Sequence, residues 1–324
     1  MTVLQQTEPK SVSARSRWPH TVTPDLAYLR TGIVNLYLYG RPGSPSGSWV
    51  LIDAGLPGSA DRIVRTAEEW IKPASRPAAI VLTHGHFDHV GALRVLAERW
   101  DVPVYAHRLE LPYLTGLSPY PPPDPTVGGG AMAALSRFYP RGPIDLGTRV
   151  QPLPEDGSVP GMPGWRWIHT PGHTPGHVAF FRDEDRTLVA GDAFVTTKQE
   201  SAAAVLAQRP ELHGPPAYYT SDWESARRSV QRLAELAPAR VATGHGPPLE
   251  GPEMLADLRE LARHFERLAV PAHGRYIGQP ALANEYGVVA VPPPVSDPAA
   301  RIALSVGVGL LVGAAFRRSS RQSR

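Results

Sequence analysis

The run Thr83-His84-Gly85-His86-Phe87-Asp88-His89-Val90-Gly91 sets four metal-capable side chains within six residues, directly after the apolar stretch Ala78-Ala79-Ile80-Val81-Leu82. Imidazole and carboxylate suit Zn²⁺ and neighbouring first-row cations, and a strand entering a tight glycine-containing turn can aim such groups at one point. Kept extended, the turn puts His84 and His86 on one face. Asp88 and His89 then open a helix marked by Val90, Leu93, Leu96 and Ala97, where adjacent residues diverge in direction. The run can therefore serve two metals rather than one.

Three later segments also end strands with metal-capable residues: Thr170-Pro171-Gly172-His173-Thr174-Pro175-Gly176-His177, Ala190-Gly191-Asp192-Ala193 and Thr243-Gly244-His245-Gly246. Each candidate sits near glycine, which lets backbone approach a shared centre without a clashing Cβ. One such turn alone says little.

Around these turns the chain alternates strand and helix patterns. Gly32 to Tyr39 and Ser48 to Ile52 are β-rich and separated by a Gly/Pro/Ser loop, a hairpin signature. Ser59 to Ile71 has helical spacing, Ala79 to Leu82 is a strand, Asp88 to Trp100 a helix, and Val102 to Tyr105 a short strand. The second half reads as strands at Trp165 to His169, Val178 to Phe181, Thr187 to Ala190 and Arg240 to Thr243, with helices at Ser221 to Leu236 and Pro252 to Leu268. Two β-rich halves, each flanked by helices, argue for two sheets packed together under outer helix layers. Between them, residues 112–143 form a Pro/Gly-rich excursion of the kind that serves as a functional loop or lid.

The sequence has 324 residues and no cysteine, so disulfides are excluded and every side-chain metal ligand must come from His, Asp or Glu. Net charge is +3, from 33 basic against 30 acidic residues, with a pI near 9.2. The basic residues are scattered apart from the end Arg317-Arg318-Ser319-Ser320-Arg321-Gln322-Ser323-Arg324, so a nucleic-acid partner is not expected. Residues 1–22 read as a polar, disordered tail without the apolar core of an export signal. One folded domain spans 23–272, a Pro-rich linker 273–298, and an apolar segment with a basic end 299–324. Within that last segment the uncharged run 302–316 is short of the ~20 residues a spanning helix needs. It makes membrane association possible for a protein otherwise expected in the cytoplasm.

The order of these motifs resembles the metallo-β-lactamase-fold hydrolase superfamily over roughly Gly32 to Leu268. His-x-His-x-Asp-His, a Gly-His turn, an Asp after a strand and a late His are all matched. The resemblance implies an α/β fold, a four-layer αββα sandwich of two mixed sheets with outer helices. It also implies two divalent metal ions, zinc by expectation and iron or manganese otherwise. His84, His86 and His173 would bind the first metal, Asp88, His89 and His245 the second, and Asp192 would bridge them. Asp53 and His177 match positions that orient ligands rather than bind. A carboxylate at Asp192 is what lactonase-like and glyoxalase II-like members carry, whereas one β-lactam-cleaving subclass uses a cysteine that this chain lacks. No clear match to the substrate-binding basic residues of the glyoxalase II group is present.

Metal binding lowers the pKa of water from 15.7 to about 7, so a hydroxide held between two metals is nucleophilic at neutral pH. The expected reaction is hydrolysis of an ester, lactone or thioester carbonyl in a small molecule, with Asp88 able to relay a proton as well as bind metal. Lys198, Tyr218 and Tyr219 are candidate substrate contacts. The alternatives are a phosphodiesterase or nuclease on the same site, a mononuclear iron oxygenase, and a non-catalytic, metal-stabilised module held at a membrane by its tail.

Overall fold

The computed structural model describes residues 19–295, and both the run 302–316 and the first 18 residues lie outside them. Chain order gives β1 (His20–Thr23), β2 (Leu26–Thr31), β3 (Val34–Tyr39), β4 (Val50–Ile52), α1 (Ala60–Trp70), β5 (Ala79–Val81), α2 (Leu93–Trp100) and β6 (Val104–Ala106). The excursion carries α3 (Leu111–Leu114) and α4 (Ala131–Leu135) before β7 (Val150–Pro152). The second half holds β8 (Trp165–His169), β9 (Val178–Arg182), β10 (Thr187–Gly191), α5 (Ala202–Ala207), α6 (Trp223–Glu235) and β11 (Arg240–Thr243). It closes with β12 (Leu249–Glu250), α7 (Gly251–Arg263), α8 (Phe265–Leu268), β13 (Leu282–Asn284) and β14 (Gly287–Ala290).

Strands β1 to β7 form a seven-stranded sheet in sequence order, antiparallel as far as β4 and parallel beyond it. A five-stranded sheet runs β12-β11-β10-β9-β8, with β10 and β11 parallel. Period-two alternation sorts the core into layers. Val50, Ile52, Val81, Val178, Phe180, Val189 and Ala242 meet between the sheets. Their chain neighbours Leu51 and Ile80 pack with Ile63, Val64 and Ala67 of α1 and Leu93, Leu96 and Ala97 of α2. On the opposite face Ala179, Phe181, Leu188 and Val241 pack with Trp223, Ala226, Val230 and Leu233 of α6 and Met254, Leu258 and Leu261 of α7. This is the αββα sandwich expected from the sequence.

Three local expectations are corrected. The helix expected from Asp88 begins at Leu93, because the backbone before it bonds elsewhere. His89 and Val90 N–H both donate to the His86 carbonyl, Ala54 N–H donates to His89, and Gly91 N–H donates to Gly55. The supposed tail contributes β1, which pairs with β2, a strand that the reading from Gly32 onward missed. The supposed linker also folds back on the excursion. Tyr276 Oη donates to the Pro122 carbonyl (2.6 Å), Val288 N–H donates to Ser118 Oγ (3.1 Å), and β13 and β14 form a hairpin.

Candidate metal centre

The candidate ligands stand just beyond the carboxyl ends of strands in both sheets, where open α/β sheets place their ligands. β5 delivers His84 and His86, β8 delivers His173, β10 delivers Asp192 and β11 delivers His245. Polar side chains stitch the sheets together at this end. Asn35 Nδ2 donates to the carbonyls of Thr243 (2.9 Å) and Gly246 (2.6 Å), and Tyr37 Oη donates to that of Thr243 (2.6 Å).

All seven residues converge. Ligand atoms of His84, His86 and His173 form one group, those of Asp88, His89 and His245 another, and those of His84, His89 and Asp192 a third, each within 4.8 Å. Asp192 Oδ2 lies 3.1 Å from His245 Nε2, 3.5 Å from His173 Nε2 and 3.6 Å from His89 Nε2, so it spans the first two groups. His245 Nε2 is also 3.5 Å from Asp88 Oδ2. Every one of the seven is buried, Asp88 the least at 6% exposure.

The outer nitrogen of each imaginable ligand ring decides what its inner nitrogen offers. Thr83 Oγ1 donates to Asp53 Oδ2 and stands 3.1 Å from His84 Nδ1, so that ring nitrogen is the donor between them. Thr220 Oγ1 donates to the Pro216 carbonyl and lies 3.3 Å from His173 Nδ1, with the same consequence. His245 Nδ1 faces the Ile33 carbonyl at 2.7 Å. The Nε2 atoms of His84 and His173 therefore carry lone pairs into the pocket, while that of His245 faces the Asp192 carboxylate. His86 Nδ1 sits 3.1 Å from His84 Nε2 and 2.9 Å from His173 Nε2. Three inward nitrogens at such spacing match the edge of about 3.3 Å that Zn–N bonds of 2.0–2.1 Å give a tetrahedron.

Burial, then neighbouring imidazoles, hold His84 and His86 well below the ordinary histidine range, so both are neutral and ready to bind. Burial also pushes His173 down to about 3. At the carboxylate side the balance reverses. Burial disfavours a charged His89, yet Asp192 and Asp53 hold it well above its usual range, and His245 follows with Asp192 as its main partner. Asp192 stays ionised against burial because His245 and His89 face it. His89 Nε2 and Asp192 Oδ1 are buried without a hydrogen-bond partner. Orphaned polar atoms of this kind cost stability in a dry interior unless something binds them. The donor set thus fits divalent cations.

Asp53 and His177 each bond to a candidate ligand. Asp53 Oδ2 meets His89 Nδ1, while Asp192 N–H donates to His177 Nε2 at 2.9 Å, which uses that lone pair and leaves none for metal. Tyr219 stacks on His86 with centroids 4.2 Å apart, but its hydroxyl donates to the Pro140 carbonyl in the excursion (3.0 Å). Tyr218 is buried beside it, and Lys198 is half-buried in the loop after β10. Sequence reasoning missed Glu110, a fully buried carboxylate reaching both histidine turns. Its local sequence Arg108-Leu109-Glu110-Leu111 carries no signal that could have found it.

These features define a metal-dependent hydrolase, and the chain belongs to the metallo-beta-lactamase superfamily, whose family model matches residues 29–245. It is 51% identical over 240 residues to the probable metallo-hydrolase YflN of Bacillus subtilis (strain 168), covering 74% of this chain and 90% of that protein. The probable metallo-hydrolase YybB of the same organism is 32% identical over 196 residues, covering 60% and 74%. A beta-lactamase domain protein from Burkholderia ambifaria has a similar fold, with TM-score 0.53, 20% identity and 76% of each chain covered.

Proposed function

We propose that this protein hydrolyses an ester, lactone or thioester carbonyl of a small molecule at a dinuclear centre, with zinc as the expected metal. The observation that carries the reading is Asp192 Oδ2 between His173 and His245, one carboxylate oxygen placed to serve two adjacent ligand groups. When bound, two divalent cations lower the pKa of a shared water and polarise a carbonyl oxygen. His84, His86 and His173 would hold one cation, Asp88, His89 and His245 the other.

The remaining roles belong to side chains around them. Asp88, the most exposed of the seven candidate ligands and 3.5 Å from His245 Nε2, is the carboxylate placed to pass a proton toward the leaving group as well as to bind metal. Tyr219, Tyr218 and Phe87, together with Tyr139 from the excursion, give the approach to the ligands an aromatic wall suited to a small-molecule carbonyl substrate. Lys198 and the Tyr218 phenol are the proposed substrate contacts, since the Tyr219 hydroxyl is already engaged. The carboxylate at Asp192 in a chain without cysteine supports the lactonase-like and thioesterase-like branch.

The test combines elemental analysis of purified protein with a panel of lactone, thioester and phosphodiester substrates, using His86→Ala as control. Two metals per chain and His86-dependent turnover of a lactone or thioester are expected. Turnover of phosphodiesters alone would replace this reading with a phosphodiesterase, and full metal content without any turnover would leave a metal-stabilised module.

A further inference from the structure

Glu110 lies on the short turn before α3, is 0% exposed, and belongs to no ligand group. Its two oxygens face donors from two separate parts of the site. Oε2 accepts from Gly85 N–H at 3.0 Å and from the Tyr120 hydroxyl. Oε1 accepts from Gly176 N–H at 2.8 Å and from Thr174 Oγ1 at 2.7 Å. Gly85 is the residue between His84 and His86, and Thr174 follows His173 directly. The Tyr120 hydroxyl additionally accepts from Gly85 N–H at 2.9 Å. A Cβ on Gly176 would lie 2.8 Å from Glu110 Cγ, so a side chain there would push the carboxylate away.

We infer that Glu110 is the positioning residue of the first metal group: one buried carboxylate clamps the His84-Gly85-His86 turn from the first sheet to the His173-Thr174 turn from the second. Only an acceptor with two oxygens does this. Two backbone N–H groups and two hydroxyls point at it, and each orphaned donor in a buried site is costly. His86 Nδ1 and His173 Nε2, 2.9 Å apart, come from the two segments it ties, and none of the four hydrogen bonds to its carboxylate comes from Asp88, His89 or His245. Loss of the clamp therefore loosens one metal and spares the other. Outer groups that orient ligands typically contribute 10–100-fold to metal affinity.

The inference rests on the two-metal reading, and the experiment separates the two. Metal-loaded wild type, Glu110→Gln and Thr174→Val are titrated with a graded chelator, the metal retained is counted, and the melting temperature of each metal-free protein is recorded. Glu110→Gln keeps the shape but turns an N–H₂ toward donors, and Thr174→Val removes one bond with little change in volume. The expected result is two metals in wild type, with one of them released at 10–100-fold lower chelator strength in Glu110→Gln and a smaller shift of the same metal in Thr174→Val. Should Glu110→Gln not fold, Thr174→Val carries the test alone. A wild type that holds fewer than two metals overturns the dinuclear reading. Two metals released together, or with wild-type affinity, overturn the role of Glu110 while that reading stands. A fall in metal-free melting temperature without any selective release would likewise make Glu110 a fold-stabilising group only.

Discussion

Asp53 Oδ2 lies 2.9 Å from His89 Nδ1, and this contact turns His89 Nε2 toward Asp192 and the metal pocket. Asp53 also accepts from the Thr83 backbone N–H (2.8 Å) and the Thr83 hydroxyl (2.7 Å), so β4 and β5 share the burden of aiming one imidazole. Its φ of 62° lies in the left-handed region, which Asn tolerates as well as Asp. Asp53→Asn should thus keep the backbone while removing the charged acceptor. The expected outcome is a 10–100-fold loss of affinity for the metal of the Asp88, His89 and His245 group, read by chelator competition. Unchanged affinity at that group would show that His89 needs no carboxylate to orient it.

Gly244 precedes His245, and its missing side chain makes room for the shared carboxylate. A Cβ there would come 2.0 Å from Asp192 Oδ1 and 2.7 Å from His89 Cε1. Overpacking a core costs about 1–3 kcal/mol, the range expected for Gly244→Ala, where both the Asp192 carboxylate and the His89 ring must shift. The metal pays more, because the displaced group is the one placed between the two ligand sets. Elemental analysis should find fewer than two metals per chain in a variant that still melts cooperatively. A variant retaining both would mean that Asp192 can serve them from a shifted position.

Much of this centre was legible in the sequence because each ligand follows a strand end marked by an apolar run and a glycine. His84, His86, His173, Asp192 and His245 could be found in that way, and two β-rich halves, each flanked by helical patterns, pointed to the layers. The parts that escaped are non-local. Glu110 acts through Gly85 and Gly176, far from it in the chain, and no periodicity announces such a contact. The helix start moved from Asp88 to Leu93 because residues 54–55 compete for its first hydrogen bonds, a partner that local spacing cannot show. The hairpin of β13 and β14 escaped for a similar reason: its Pro-rich surroundings suggested a linker, while its anchors, Ser118 and Pro122, lie in the excursion.

His107 stacks on His169 with centroids 4.2 Å apart and an interplanar angle of 13°. Burial, followed by His169 and Arg108, pushes His107 down to about 3 from its ordinary 6.5. A depressed histidine binds its proton more readily unfolded than folded. Its contribution to stability is therefore complete above pH 6.5 and is lost as pH falls from there toward 3, at a rate of at most about 1.4 kcal/mol per pH unit. His107 also accepts from Leu109 N–H at the start of a helical turn, a capping role that Asn can fill. Metal-free His107→Asn should lose less melting temperature than metal-free wild type between pH 7 and pH 5. Parallel slopes for the two proteins would mean that His107 titrates alike in the folded and unfolded chain, with no depression by burial.

Asp124 joins three segments that cover the centre. Its backbone N–H donates to the Tyr218 carbonyl at 2.7 Å, its Oδ1 accepts from Thr126 N–H at 2.9 Å, and its Oδ2 accepts from Arg275 N–H. The excursion, the Tyr218–Tyr219 wall and the returning chain beyond α8 thus meet at one residue that is 3% exposed, the first and last through its carboxylate and the wall through its backbone. Asp124→Ala leaves the N–H groups of Thr126 and Arg275 without acceptors, a cost of about 1–3 kcal/mol for each group that stays buried. Local opening relieves that cost more cheaply than global unfolding, since no metal ligand and little of the three core layers lies in these segments. Limited proteolysis should accordingly cut Asp124→Ala within residues 112–143 or 273–291 faster than wild type, while metal content stays the same. Cutting at wild-type rates would place the hold on the excursion elsewhere, in contacts such as Tyr276 with Pro122 or Tyr219 with Pro140.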